Sequence, residues 1–469
     1  MRIWLPMAAA AALLTACASG PDYKRPDPAV PSNFRAQIGA SDAKSLADLP
    51  WWSVFQDKAL QDLIVRALAE NQDLKIAVSR IEQARQQVLQ VKSQTAPQLN
   101  YQISAGGERA FAPQSNGQST INYGTIAGAF SAAWEFDLWH RIRHETEAAE
   151  ANVLAQEDIR RGVILTLVSD LATDYFRLIE LDRELAIAED SSRTFKRTLD
   201  IFNDRFQAGR DSELPVARTE AAYDEANARI SLIKQQVGQL EDAISILVGD
   251  YPHDIQRGKL LTEQTMPETP LGQTTELLRR RPDIQQAEES MIQANAEVGV
   301  AVANFYPRLG LSALFGTQGA GFDGTFNAFT VAGIVANLSG PIFDGGRLRA
   351  AYHEKQAYWD ETVAQYRKTV LGAFQETSDA LIAQQNLVGQ RKELEVQVQA
   401  LQRSVDLALT RYDAGRSSYL EVLEAEQQLF PAQDALAQAQ RDQLLAVVGL
   451  YKALGGGWQL TPEQWSQRG

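Results

Sequence analysis

The chain states nearly the same pattern twice, and that repetition limits the folds open to it more than any other feature. The run from Asp73 through Pro97-Gln98-Leu99 aligns without a gap, 210 residues on, with the run from Asp283 through Pro307-Arg308-Leu309. Arg205-Phe206-Gln207-Ala208-Gly209-Arg210 returns as Arg411-Tyr412-Asp413-Ala414-Gly415-Arg416, and Phe136-Asp137 returns as Phe343-Asp344. A period of about 208 residues is far too long for a solenoid unit, so the repeated unit is a half-molecule. Each half runs helix, two strand-like stretches, one very long helix, a tight turn and a returning helix. That order of parts suits an elongated tube better than a catalytic cleft.

A chain of 469 residues with 45% hydrophobic content buries a core easily and is long for one compact domain. Its net charge of −14 excludes the basic footprint of a nucleic-acid binder and gives no polybasic membrane patch. The one cysteine cannot form an intrachain disulfide, and four scattered histidines offer little metal chemistry. His140 and His144 are four apart, but no third ligand stands near them, so they read as a solvated or interfacial pair and not as a metal centre. No nucleophile–base arrangement, phosphate loop or paired catalytic carboxylates stand out. Gly455-Gly456-Gly457 is a helix stop, because no strand precedes it and no helix opens from it. The chain reads as a non-enzyme without a cofactor.

The N-terminus accounts for the cysteine. Met1-Arg2 is a minimal positive region, and Ile3 to Leu14 is apolar but far short of the ~20 residues of a spanning helix. It closes on Leu14-Thr15-Ala16-Cys17, which resembles a bacterial lipobox, whose cysteine thiol takes a diacylglycerol and becomes the first residue. The other reading is an ordinary secretory signal with an incidental cysteine. Ala18 follows, where an aspartate would signal inner-membrane retention, so the lipoprotein is expected at the outer membrane. Each buried methylene contributes roughly 0.8 kcal/mol, which makes a multiply acylated (palmitate-type) Cys17 a firm anchor.

Gly20 to Pro50 reads as an extended tether. Trp51-Trp52 to Phe55, then Leu60, Leu63, Ile64 and Leu68, opens an amphipathic helix, and a second runs from Asp73 to Thr95, stopped by Pro97. Beyond Pro97 the period changes to two. Leu99, Tyr101, Ile103 and Ala105 alternate with polar or small residues, Gln114 to Ser119 reads as a polar loop, and Asn122 to Phe136 gives a second run. The second half repeats this with Leu309, Leu311, Ala313 and Phe315, a Gly-rich loop from Gly316 to Gly324, and Phe329, Val331, Gly333 and Val335. Strands of ~10 residues in this pattern fit a membrane barrel wall and fit two soluble hairpins equally well.

The long helices carry a stronger signal. Leu181, Leu185, Ala188, Phe195, Leu199, Phe202 and Phe206 keep a 4-3 spacing, as do Leu387, Leu394, Val398, Leu401, Val405, Ala408 and Tyr412. Sustained 3.5-residue spacing predicts left-handed coiled-coil packing. Leu138 to Gln207 as one helix would span about 105 Å at 1.5 Å per residue. The returning helix Glu213 to Val248 and the helix Pro282 to Asn304 together nearly match that length, so two short helices are expected to stack beside each long one. The result is a rod with strands at one end, turns at the other and a belt midway. Four strands cannot close a membrane barrel, because open edges in lipid leave backbone groups unsatisfied. Transmembrane strands therefore require an oligomer: two copies give a filled barrel of eight, three a barrel of twelve wide enough for a pore.

In this setting Cys17 with Gly20-Pro21-Asp22-Tyr23-Lys24-Arg25-Pro26, the Trp51-Trp52 opening, and Leu278-Arg279-Arg280-Arg281-Pro282-Asp283-Ile284 resemble the outer membrane factor family, in particular its lipoprotein branch. Pro341-Ile342-Phe343-Asp344-Gly345-Gly346-Arg347 and Tyr451-Lys452-Ala453-Leu454-Gly455-Gly456-Gly457-Trp458 complete the set, and the resemblance covers essentially the whole mature chain. It implies a mainly α fold with a membrane β-barrel part: a homotrimer with a twelve-stranded barrel in the outer membrane lipid and a coiled-coil helical tunnel in the periplasm. It also implies docking to a periplasmic adaptor and an inner membrane transporter, often of the proton-driven resistance-nodulation-division type. The expected role is a drug-efflux exit duct. The same duct serving type I protein secretion, and a non-conducting coiled-coil structural lipoprotein, stand as alternatives.

The resemblance places a constriction on the second returning helix, lined by Glu421 and Glu424; on the residues alone these read as ordinary solvated glutamates. Val422, Ala425, Leu429, Ala432 and Leu436 form an apolar seam, and the two glutamates, three apart, share the neighbouring face. A ring of them from several copies would attract cations. An Arg–Asp lock of some relatives is missing, since Ser417 and Pro215 hold those positions; Arg218 or Arg416 could supply another. Pro431 should kink the helix and help narrow the tip. Gly209 and Gly415 are expected to take positive φ at the hairpin turns. The resemblance adds adaptor docking there, with Arg210 and Arg416 beside them. The expected organisation is signal 1–16, lipidated tether 17–50, first repeat 51–250, equatorial segment 251–275, second repeat 276–455 and equatorial tail 456–469.

Overall fold

A computed structural model describes residues 20–35, 37, 45–114, 117–267, 269–322 and 325–458. Cys17, the signal segment and the tail beyond 458 lie outside the described residues. The chain divides into two compact units, Met1–Asp27, Arg80–Glu157 and Gln286–Arg367 forming one, and Pro28–Ser79, Asp158–Gln285 and Lys368–Gly469 the other.

The helices are α1 (Trp51–Val54), α2 (Lys58–Glu70), α3 (Gln72–Lys92), α4 (Arg141–Gln207), α5 (Glu213–Leu247), α6 (Thr274–Arg280), α7 (Pro282–Ala303), α8 (Arg347–Asp413) and α9 (Tyr419–Ala453). The strands are β1 (Gln98–Gln114), β2 (Gly117–Phe136), β3 (Arg308–Phe322) and β4 (Thr325–Ser339). The two long helices α4 and α8 each have 67 residues, and the two returning helices α5 and α9 each have 35. No described helix is long and apolar enough to cross a membrane.

In the first unit the strands form one antiparallel sheet in the order β1-β2-β3-β4. They run 17, 20, 15 and 15 residues, well beyond the length the alternation predicts. Both expected loops shrink for the same reason. Gln114 pairs with Gly117, and Gly316, Gly319 and Gly321 pair with Ala129, Ile126 and Gly124. The glycine-rich stretch is therefore strand, and glycine is needed in it where backbones crowd: a Cβ on Gly316 would lie 2.4 Å from the Gly128 carbonyl oxygen.

The register sorts the sheet into two faces. Leu99, Tyr101 and Ile103 lie opposite Ala132, Phe130 and Gly128; Phe130 lies opposite Phe315; and Leu309, Leu311 and Ala313 lie opposite Leu338, Ala336 and Ile334. That face is apolar, while Asn100, Gln102, Ser104, Ser131, Ser312 and Asn337 stand on the other. The run Phe329, Val331, Gly333, Val335 falls on the second face, opposite Gln318, Gly316, Leu314 and Ser312. Alternation along a strand does not say which parity its neighbour presents. The apolar face is bare: Tyr101, Ile103 and Ile334 are 75–77% exposed.

The helix starts are set by carboxylates. Asp137 accepts from the backbone N–H groups of Ile142 and Arg143, so α4 opens at Arg141 and not at Leu138. In the second half Asp344 accepts from Gly346 and Leu348, and those bonds hold its carboxyl below the usual range. Residues Gly20 to Arg25 lie on α4, α7 and α8 of the same unit. Asn295 donates to the Pro21 carbonyl, Arg25 pairs with Glu288 at 3.0 Å, Tyr23 meets Trp359 edge to face, and Gly20 packs on Gly299 and His144.

The second unit holds both helical hairpins. Ala188, Phe195, Leu199 and Phe202 of α4 are buried, as are Val405 and Ala408 of α8, which fits the heptad spacing. Phe206 ends the series 43% exposed, at the last turn. Asp57 is a buried hub, accepting from Tyr175, Gln264 and the backbone N–H groups of Ala59 and Lys259. Arg281 is a buried clamp, reaching Asp283, Glu376 and the Ala453 carbonyl, which gives the triple-arginine motif a structural role.

Candidate functional site: the helical hairpin turns

Both hairpins of the second unit turn in the same way. Gly209 and Gly415 each have φ +68. The Arg210 N–H donates to the Arg205 carbonyl and the Arg416 N–H to the Arg411 carbonyl, both at 2.8 Å. Gly209 and Gly415 donate to Phe206 and Tyr412 inside those rings. This double bond to the last helical carbonyls requires left-handed backbone at one residue, which only glycine adopts without strain. Arg210 and Arg416 are held by backbone alone and stand exposed.

Beyond the second turn, Val422, Ala425, Leu429 and Ala432 of α9 are buried, and Leu436 is half-buried. Ala425 and Leu429 pack with Val405, against Val398, Leu401 and Leu409 of α8. Leu423 packs on Phe195, Ala222 and Ala226, and Phe430 meets Phe195 edge to face at 5.6 Å. So α9 is wedged among α8, α4 and α5, and its remaining strip carries Glu421 and Glu424, both exposed. Glu421 lies 3.4 Å from Arg411. The helix continues through Pro431.

The tie between the hairpins uses a residue the sequence reading passed over. Arg205 donates to the Tyr412 hydroxyl at 2.8 Å and pairs with Asp211 at 2.8 Å. Tyr419 stacks edge to face on Phe202 and Tyr412 and shares a hydrogen bond with Thr198. A cavity of about 160 Å³ opens among these groups and Pro215 and Ser417.

Three buried carboxylates also escaped the sequence reading. Glu426 is 5% exposed, and burial, then the Asp190 carboxylate, push it up to about 7. Burial pushes Asp434 up to about 6 against the pull of Arg229, and Glu180 up to about 7 despite Arg441. Glu426 was findable: it lies four residues after Val422 and three before Leu429, on the seam itself. Elsewhere, His144 contacts Glu147 at 2.9 Å with the His140 ring 6.5 Å away, and no described cluster of three metal-ligating residues exists.

The outer membrane efflux protein family model matches residues 63–250 and again 274–456. The chain belongs to the outer membrane efflux protein family. Its two matched segments are the two halves of the internal repeat, so duplication is part of the family's architecture. The solvent efflux pump outer membrane protein SrpC of Pseudomonas putida is 34% identical, over 96% of this chain and 97% of that protein. The cation efflux system protein CusC of Escherichia coli O6:H1 is 30% identical, over 97% and 98%. The solved outer-membrane channel OprN superposes with a TM-score of 0.84 at 28% identity, covering 95% of this chain and all of that one. Family membership makes the chain an outer membrane component of an efflux pump.

Proposed function

We propose that three copies of this chain close a twelve-stranded barrel in the outer membrane, above a helical tunnel, as the passive exit duct of a tripartite pump for small molecules. One observation carries this: a four-stranded sheet with a bare apolar face and two unpaired edges, β1 and β4. In lipid each unsatisfied edge group costs several kcal/mol, so the sheet must close on further copies. Two copies would give a barrel whose side chains fill it, and three open a pore.

A periplasmic adaptor docks at the turns Gly209-Arg210 and Gly415-Arg416, and an inner membrane transporter of the resistance-nodulation-division type delivers the cargo. One relative is named for solvents and another for cations, which supports a duct whose specificity lies in its partners. Glu421 and Glu424 from each copy line the constriction as an acidic ring. Cys17 carries a lipid. Gly20, the first described residue, rests on Gly299, four residues before α7 ends.

The test is single-channel current through the mature protein in a planar bilayer, beside a Glu421→Ala, Glu424→Ala variant. Small cation-selective currents that grow and lose selectivity in the variant support the duct and its gate. Equal currents remove the gate residues, and no current from a trimeric sample of either leaves a sealed tip and a non-conducting structural lipoprotein both standing.

A further inference from the structure

The internal duplication makes one seam of the sheet a template for another that a single chain cannot show. Gln98 pairs with Ala133 in the first hairpin, and its repeat counterpart Arg308 pairs with Ser339 in the second. β1 therefore corresponds to β3 with Gln98 at Arg308, and the hairpin pairing sets β2 on β4 with Ala133 at Ser339, the second half carrying one extra residue between β4 and Phe343. The seam between the two halves, β2 to β3, lies inside the chain: Ala132 pairs with Ala313, Ser131 with Leu314, and Ala129 with Gly316. Its counterpart is the junction of β4 with β1 of another copy.

We propose that β4 pairs antiparallel with β1 of a second copy in one set register, placing Leu338 opposite Ile103 of the partner subunit, Asn337 opposite Ser104 of the partner subunit, and Val335 opposite Gly106 of the partner subunit. This rests on the trimeric duct reading and specifies the surface that closes it. Two features of the strands agree with it. The faces match, because Leu338 is 68% and Ile103 76% exposed on the apolar face, while Asn337 and Ser104 share the polar one. Gly106 is the repeat counterpart of Gly316, the glycine at which a Cβ would lie 2.6 Å from the Ala129 Cα. Within this chain a Cβ on Gly106 meets nothing nearer than the Thr125 hydroxyl at 3.5 Å. Its bare side is the one the partner's β4 approaches, so the same glycine does the same work at the second seam.

Cysteine pairs read this register in the full-length chain, leaving Cys17 in place. The in-register pairs are Asn337→Cys with Ser104→Cys, and Leu338→Cys with Ile103→Cys. Both are needed, since opposed residues alternate between hydrogen-bonded and closer sites. Controls shift by two: Asn337→Cys with Gln102→Cys or with Gly106→Cys. Within one copy β1 and β4 are three strand spacings apart, about 14 Å, so a disulfide must join different copies. The expected result is a gel shift from monomer to covalent trimer on oxidation for at least one in-register pair, lost in the shifted pairs. A shifted pair that cross-links better overturns the register. No cross-link from any pair in a sample that native mass spectrometry shows to be trimeric overturns it too, whereas a monomeric sample overturns the trimeric reading beneath it. Gly106→Leu is expected to reduce trimer yield while Gly107→Leu, with no neighbour within 4 Å, leaves it; equal yields count against the glycine's role.

Discussion

The guanidinium of Arg205 donates to the hydroxyl of Tyr412 across 2.8 Å, joining the last turn of the first long helix to the last turn of the second. Asp211, just past the first turn, holds the same guanidinium. One side chain therefore ties the first hairpin to the second while also bracing its own turn.

Removing that tie should loosen the hairpin ends. Arg205→Ala and Tyr412→Phe are each expected to raise single-channel conductance. The partly exposed contacts lose about 1 kcal/mol, given solvent screening of the ion pair. Currents identical to wild type would assign the closing force elsewhere.

Glu426 gives the same region a pH dependence. Its carboxyl sits at about 7 in the folded chain, against an ordinary value near 4.5. Between those values the folded state holds a proton that the unfolded chain has released, so stability falls as pH rises through that window. Asp434 at about 6 and Glu180 at about 7 add with the same sign. The expected loss from Glu426 is on the order of 1–3 kcal/mol, read as a lower melting temperature above about pH 7 than near pH 5. Glu426→Gln should flatten the profile; a wild-type profile already flat would contradict the assignment.

Arg281 should prove to be structural. Arg281→Ala strips the Ala453 carbonyl of its partner and frees Asp283 and Glu376, a loss of about 2–4 kcal/mol in thermal unfolding. Arg281→Lys should recover only part, because a single ammonium cannot serve three partners in the fork geometry. Full recovery by lysine would show that charge alone matters there.

The lipid on Cys17 is tested by metabolic labelling with palmitate. Cys17→Ser should abolish incorporation, and label that persists in the variant would place the acyl group elsewhere or nowhere on this chain.

Much of the fold was legible because it is written in periods. Heptad spacing marked α4 and α8, and the shift to alternation after Pro97 marked the sheet. Helix ends were less legible: Asp137 moves the start of α4 to Arg141 by capping it. The strand lengths were hidden because Gly316 to Phe322 resembles a loop in composition, and only pairing with β2 turns it into strand. At the hairpin turns, Gly209 and Gly415 were readable from local geometry. Arg205 was not, since its partner Tyr412 lies on another helix. Glu426 was overlooked because a glutamate on a polar helix looks solvated until neighbouring helices enclose it.

The sequence by itself determined the duplication, the long paired helices and the glycine turns, since these follow from repeat, period and backbone chemistry along the chain. Only the tertiary structure decided which face of the sheet is apolar, which arginine ties the hairpins, and which carboxylates are buried. Those outcomes depend on residues far apart in the chain meeting at hydrogen-bond distance, and no local pattern encodes such a meeting.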